Sequence, residues 1–121
     1  MIDKQLIQVI DPSGEVVDEA ALEKISQEDM IRMYRFMVLT KLWNNKALSL
    51  QRQGRLGTLA SVRGQEAANV GMGMALGPND WFCPAFREYG AMLIRGATLK
   101  DLFLHWSGDE RGARPPEGSR M

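Results

Sequence analysis

Between Met30 and Leu50 the chain carries one dominant pattern, with apolar residues recurring at three- and four-residue steps. Met30, Met33, Tyr34, Met37, Val38, Lys41 and Leu42 would share one face of a helix. Phe36, Leu39, Trp43, Leu48 and Leu50 widen the apolar surface beyond a single stripe. Ser26 is placed to cap the start, with Asp29 three residues on as a capping box requires. Gly54 is a natural C-cap, and Arg52 suits the last turn. A helix of about 25 residues would run to about 40 Å. So long a helix, apolar on more than one side, wants more partners than a short chain offers. Two accounts stay open: a core helix broken near Asn44-Asn45, or a subunit contact with apolar surface exposed along residues 30–50. The methionines read as packing.

Length supports one domain, at 121 residues, and fifteen basic residues balance fifteen acidic ones. No broad field therefore draws the molecule to nucleic acid or to an anionic membrane. No window approaches the roughly 20 apolar residues of a membrane span, and the start MIDKQLIQVI has no signal-peptide pattern. The single Cys83, between Phe82 and Pro84, reads as a small buried apolar residue and is compatible with a cytoplasmic protein.

Of twelve glycines only Gly14 precedes position 54, so the two halves differ in kind. At the start, Ile7–Ile10 and Glu15–Val17 are β-prone runs around Asp11-Pro12-Ser13-Gly14, which predicts a small hairpin on a type I turn. Asp18–Lys24 follows as a short polar or helical connector. Beyond Gly54, Arg55 and Arg63 lie on a small-residue connection expected to bury little, and a second helix begins near Gly64-Gln65-Glu66. Gly71, Gly73 and Gly77 thin that helix and read as places where another backbone packs closely, not as a phosphate loop.

Trp81–Pro84 is a short apolar run predicted to be a strand, and Phe86-Arg87-Glu88 opens the next helix. An arginine in a first helical turn stands beside free amides and suits a phosphate or carboxylate, although an Arg-Glu pair on a helix is commonly just solvated. Thr98 and Asp101 form a second capping box, and Leu99, Leu102, Phe103 and Trp106 make the buried stripe behind it. His105 sits beside that stripe as a boundary residue. No second His or Cys lies at zinc-ligand spacing. The stretch Gly108–Met121 is charged and rich in Gly and Pro, and reads as a loop where the chain is cut short.

Four strings occur in order: Arg52-Gln53-Gly54-Arg55-Leu56-Gly57, Gly64-Gln65-Glu66-Ala67, Phe86-Arg87-Glu88 and Pro116-Glu117-Gly118. Each is weak alone. Together they resemble the alpha subunit of thiamine-dependent 2-oxo acid dehydrogenases, over its N-terminal third and most of this chain. The resemblance implies an α/β parent fold, of which this chain would supply a mostly helical part with a small β-hairpin and one short strand. It divides the chain into an N-terminal extension (1–25), a helical part of the thiamine diphosphate-binding domain (26–107) and a loop (108–121).

The resemblance further implies oxidative decarboxylation of a 2-oxo acid with acyl transfer to a lipoyl group. Thiamine diphosphate and magnesium would be the cofactors, with a beta subunit in a heterotetramer and a lipoyl acyltransferase component as partners. The family's Tyr-Arg diphosphate contact falls on Phe86 and Arg87, and Phe86 lacks the hydroxyl, leaving it only packing. The family's substrate-facing His falls on Ala60, and a later loop His on Arg111. The magnesium-binding Gly-Asp-Gly motif and its Asn are expected beyond residue 121, and the catalytic carboxylate on the beta subunit, so no catalytic or metal-binding residue is expected here. Pyruvate is favoured over branched-chain substrates. Two alternatives remain: a truncated, non-catalytic helical module that binds the beta subunit or itself, and an anion-binding module resting on Arg52, Arg55, Arg63 and Arg87.

Overall fold

The computed structural model describes residues 7–115, 117, 118, 120 and 121. It separates into two compact units, one running through Ile31 and one from Arg32 onward.

In the first unit the predicted hairpin is not formed. Ile10 and Val16 make a single antiparallel bridge, and no strand is present among the described residues. Asp11 supplies the order instead. Its Oδ1 accepts from the Ser13 amide and hydroxyl (2.9 and 2.7 Å) and from the Glu15 amide (2.9 Å), while its carbonyl accepts from Gly14 N–H at 3.0 Å. A carboxylate that satisfies these amides closes the turn, but the short flanking runs have no third strand to extend the ladder. Helix α1, Glu19–Leu22, is a single turn capped by Asp18.

Helix α2 spans Gln27–Arg52 without a break at Asn44-Asn45. Ser26 begins it by accepting the Asp29 amide at 3.0 Å, and Asp29 accepts the Ser26 hydroxyl at 2.7 Å. Gly54 ends it at φ +70°, with the Arg55 amide donating to Leu50 and the Gly54 amide to Gln51, the pairing of a Schellman cap. Apolar surface is left exposed along this helix, as expected, and a different face is buried. Thr40, Trp43, Asn44 and Ala47 point inward, whereas Tyr34 is 68% and Leu42 60% exposed. Apolar and polar residues are both spread around α2, so its packing partners decide its rotation.

Those partners come from the second half. Helix α3 is Glu66–Ala75, α4 is Tyr89–Ile94 and α5 is Leu99–Trp106, followed by one 3-10 turn at Glu110–Gly112. Trp43, Ala47, Leu59, Val62, Tyr89, Leu93 and Leu102 form the core. Three aromatic contacts organise it: Trp43–Tyr89 at 4.3 Å between ring centroids, Trp43–Phe103 at 5.9 Å and Tyr89–Trp106 at 6.0 Å. Leu59 and Val62 belong to the connection between α2 and α3, which therefore buries more than its small residues predict.

Of the glycines expected to admit a close backbone, Gly73 does so. A Cβ there would lie 2.9 Å from the Ala91 Cα of α4, and a Cβ on Gly90 would lie 3.0 Å from Asn69. Gly71 faces open space and Gly77 only Asp80. Thr98 and Asp101 form the predicted capping box of α5.

The predicted strand at Trp81–Pro84 is likewise absent. Phe82 is buried and its amide donates to the Arg120 carbonyl at 2.8 Å, but no ladder follows, and Trp81 and Cys83 are exposed. Cys83 is thus not the buried residue expected, because the extended segment turns only Phe82 inward. No helix among the described residues is long and apolar enough to cross a membrane.

Candidate functional site

The candidate site is the bend before α4, and its geometry starts with what anchors that helix. Tyr89, the first residue of α4, is buried and its hydroxyl donates to the Ala60 carbonyl at 3.1 Å. Burial raises its pKa well above the usual phenol range, the Glu88 charge adds to this, and Arg87 offsets part of it. Tyr89 therefore serves as a neutral hydroxyl donor. From the other side, Asn44 Oδ1 accepts from the Val62 amide (3.0 Å) and the Ser61 hydroxyl (3.2 Å), and the Gly57 amide donates to the Trp106 carbonyl at 2.9 Å. Three helices thus hold the α2–α3 connection, and α4 enters at a fixed point beside it.

Glu88 controls the bend. Its Oε2 accepts from the amides of Ala85 (2.9 Å) and Arg87 (3.1 Å). Burial works to raise its pKa, but backbone amides at Arg87, Glu88, Ala85 and Phe86 outweigh that, and it lies below the ordinary glutamate value. This corrects the sequence expectation in two respects. Arg87 precedes α4 by two residues instead of lying in its first turn, and the Ala85 and Arg87 amides are already satisfied by a carboxylate. What the bend offers an anion is the Arg87 guanidinium itself.

Arg87 and Phe86 are both exposed, and the guanidinium lies 5.3 Å from the centroid of the Phe86 ring. An aromatic face under a cation restrains it without neutralising it. No carboxylate pairs with Arg87 among the described residues, where the one ion pair is Arg111–Asp109 at 2.7 Å. The same bend borders a recess of about 110 Å³ whose lining includes Phe86, Arg87, Tyr89, His105 and Trp106. That volume equals only a few waters at roughly 30 Å³ each. His105 is exposed, with its ring edge-on to Trp106 at 5.3 Å, as a boundary residue should be.

The other arginines singled out in the sequence do not gather here. Arg52, Arg55 and Arg63 are exposed and none lines the recess beside Arg87; Arg55 lies along a separate groove with Lys100 and Phe103. Ala60 contributes its backbone carbonyl, and Arg111 is held by Asp109. Among the described residues no group of three His, Cys, Asp or Glu could hold a metal. Sequence reasoning missed Tyr89 and Asn44. A tyrosine directly following a bend and an asparagine inside an apolar helix were the available signals, since both side chains must find partners once buried.

Comparison with known proteins adds to this geometry. The family described as the dehydrogenase E1 component matches residues 34–121. A pyruvate dehydrogenase E1 component subunit alpha from Acholeplasma laidlawii is 44% identical over 111 residues, covering 92% of this chain and 32% of that protein. The subunit of the same name from Mycoplasma pneumoniae is 39% identical over 109 residues, covering 90% and 30%. That from Staphylococcus epidermidis is 33% identical over 114 residues, covering 94% and 31%. The chain belongs to the dehydrogenase E1 component family. It spans about a third of the length of the curated relatives it matches.

Proposed function

We propose that this chain is the N-terminal part of the alpha subunit of a thiamine diphosphate-dependent pyruvate dehydrogenase. The observation that carries this reading is the 44% identity to a pyruvate dehydrogenase E1 alpha subunit across 92% of the chain. When bound, thiamine diphosphate would supply a nucleophilic carbon and an electron sink for decarboxylation. In this reading Arg87 offers its guanidinium to the diphosphate, a pairing that suits a planar fork of donors. Phe86 restrains that guanidinium from below, Glu88 fixes the bend, and Tyr89 locks the bend to the connection at Ala60.

Magnesium and its ligands, the beta subunit, the lipoyl acyltransferase component and the 2-oxo acid are assigned to sequence and partners outside these 121 residues. A cytoplasmic setting belongs to the same reading. Residues 26–107 would form the helical part of the cofactor-binding domain, after an extension at 1–25 and before a loop at 108–121.

The test is cofactor affinity in the complete alpha–beta enzyme. Arg87→Ala should weaken thiamine diphosphate binding at least about tenfold, the scale of one lost charge-assisted hydrogen bond. Phe86→Tyr should leave binding equal or tighter. An Arg87→Ala enzyme with unchanged cofactor affinity would overturn the assignment.

A second reading is favoured by one observation, the exposed row Tyr34, Val38 and Leu42 along α2. It makes the chain a non-catalytic module that associates through this helix. Leu42→Glu would then abolish association in sedimentation, and a chain that is monomeric at every concentration and indifferent to the beta subunit removes this reading.

A further inference from the structure

A second basic site lies away from the Arg87 bend, in a cleft of about 420 Å³ beside the α3–α4 contact. Arg32, Arg95 and Arg120 line it together with Leu76, Pro78 and Ile94, and it shares no lining residue with the recess at Arg87. No acidic side chain belongs to its lining, and none pairs with these arginines among the described residues.

Arg95 is set in place. Its Nη1 donates to the Gly77 carbonyl at 2.9 Å and its Nη2 to the Asp80 carbonyl at 2.8 Å, so the 77–80 turn orients the guanidinium without cancelling its charge. Arg120 is placed by its own carbonyl, which accepts the Phe82 amide at 2.8 Å, and its guanidinium stands 5.7 Å from the Trp81 ring centroid. Arg32 projects from α2.

Three like charges around one cleft repel each other, and a bound anion reverses the sign of that energy. Guanidinium forks match phosphate oxygens, and the volume falls within the roughly 300–1,000 Å³ of small-molecule sites. Leu76, Pro78 and Ile94 give an apolar wall for the uncharged body of a ligand. We propose that this cleft binds the phosphate group of a small phosphomonoester, independently of any diphosphate contact at Arg87.

The test is amide NMR of the 121-residue chain, titrated at constant ionic strength with inorganic phosphate and with glycerol 3-phosphate, against chloride. Saturable shifts are expected at Gly73, Ile94, Arg95 and Gly96, with glycerol 3-phosphate binding the tighter of the two. The exposed pair Arg32→Gln with Arg120→Gln should weaken both at least about tenfold, since two charge-assisted contacts are lost. Arg87→Ala should leave these shifts in place, which separates this site from the proposed cofactor contact. Arg95 is left intact because it also holds the turn. Shifts that do not saturate, that chloride reproduces, or that survive in the double variant would overturn the proposal. So would binding of an acidic peptide at these amides that phosphate fails to displace.

Discussion

The Tyr89 hydroxyl reaches the Ala60 carbonyl across 29 residues of chain, at 3.1 Å, with its ring 4.3 Å from that of Trp43. One side chain thereby ties the entry to α4 to the connection behind α2. Removing only the oxygen, as in Tyr89→Phe, leaves the aromatic packing and strands the Ala60 carbonyl. The expected loss is about 1–2 kcal/mol, read from the urea midpoint. Because folding raises the Tyr89 pKa, its stabilisation is complete below the ordinary phenol value of 10.0 and fades as pH climbs above it. Tyr89→Phe should therefore also reduce the chain's sensitivity to alkali.

Asn44 carries two long-range acceptor contacts at once, to Val62 and Ser61. Asn44→Ala strands a buried amide, Asn44→Leu fills the space but strands it too, and both should cost about 2–3 kcal/mol. A variant as stable as the parent would mean that Leu59, Val62 and the contacts of Tyr89 and Trp106 hold the connection without Asn44. Chemical denaturation of the two variants decides it.

Two glycines of α3 should respond oppositely to the same change. Gly73→Ala presses a methyl against the Ala91 backbone, and an overpacked contact of this kind costs about 1–3 kcal/mol. Gly71→Ala meets nothing within 4 Å and should stabilise the helix by up to about 1 kcal/mol. Thermal midpoints of the pair give the comparison.

Several carboxylates are held below their ordinary pKa: Asp11 chiefly by Ser13, Asp101 chiefly by Thr98, and Asp109, near 2, by Arg111. Glu88 joins them through the backbone amides that outweigh its burial. A lowered carboxylate stabilises the fold above its unfolded value and loses that contribution as pH falls through the folded one. Stability should thus hold down to the unfolded values of 4.5 for glutamate and 3.8 for aspartate, then decline, with the Asp109 share fading between 3.8 and about 2. Thr98→Ala should lower stability by about 1 kcal/mol near neutrality. It should also flatten the acid limb. Urea midpoints across the acid range measure both.

The local grammar of this chain was readable, and the long-range choices were not. Ser26, Gly54, Thr98 and Asp101 terminate helices as their types require, because a cap depends only on neighbours in sequence. The rotation of α2 depends instead on Tyr89 and Phe103, far along the chain, so the inward turn of Thr40 and Asn44 is not written in the helix itself. Thr40 tolerates burial by donating to the Phe36 carbonyl at 2.7 Å, a bond invisible to hydropathy. The β-prone runs failed for the opposite reason: their residues favour strands, but a strand needs a neighbour to pair with. At the bend, the carboxylate of Glu88 taking the amides of Ala85 and Arg87 was not legible, because a side chain that folds back on its own backbone leaves no mark in a string.

The anchoring of the α2–α3 connection also has a consequence for synthesis. Ala60 waits for Tyr89 and Gly57 waits for the Trp106 carbonyl, so its final form requires segments translated well afterwards. At about 5–20 residues per second that interval lasts on the order of seconds. Trp43 lacks the Tyr89 ring until residue 89 has been made. The nascent chain therefore emerges with its future centre open to water, and this is the window in which a chaperone would find it.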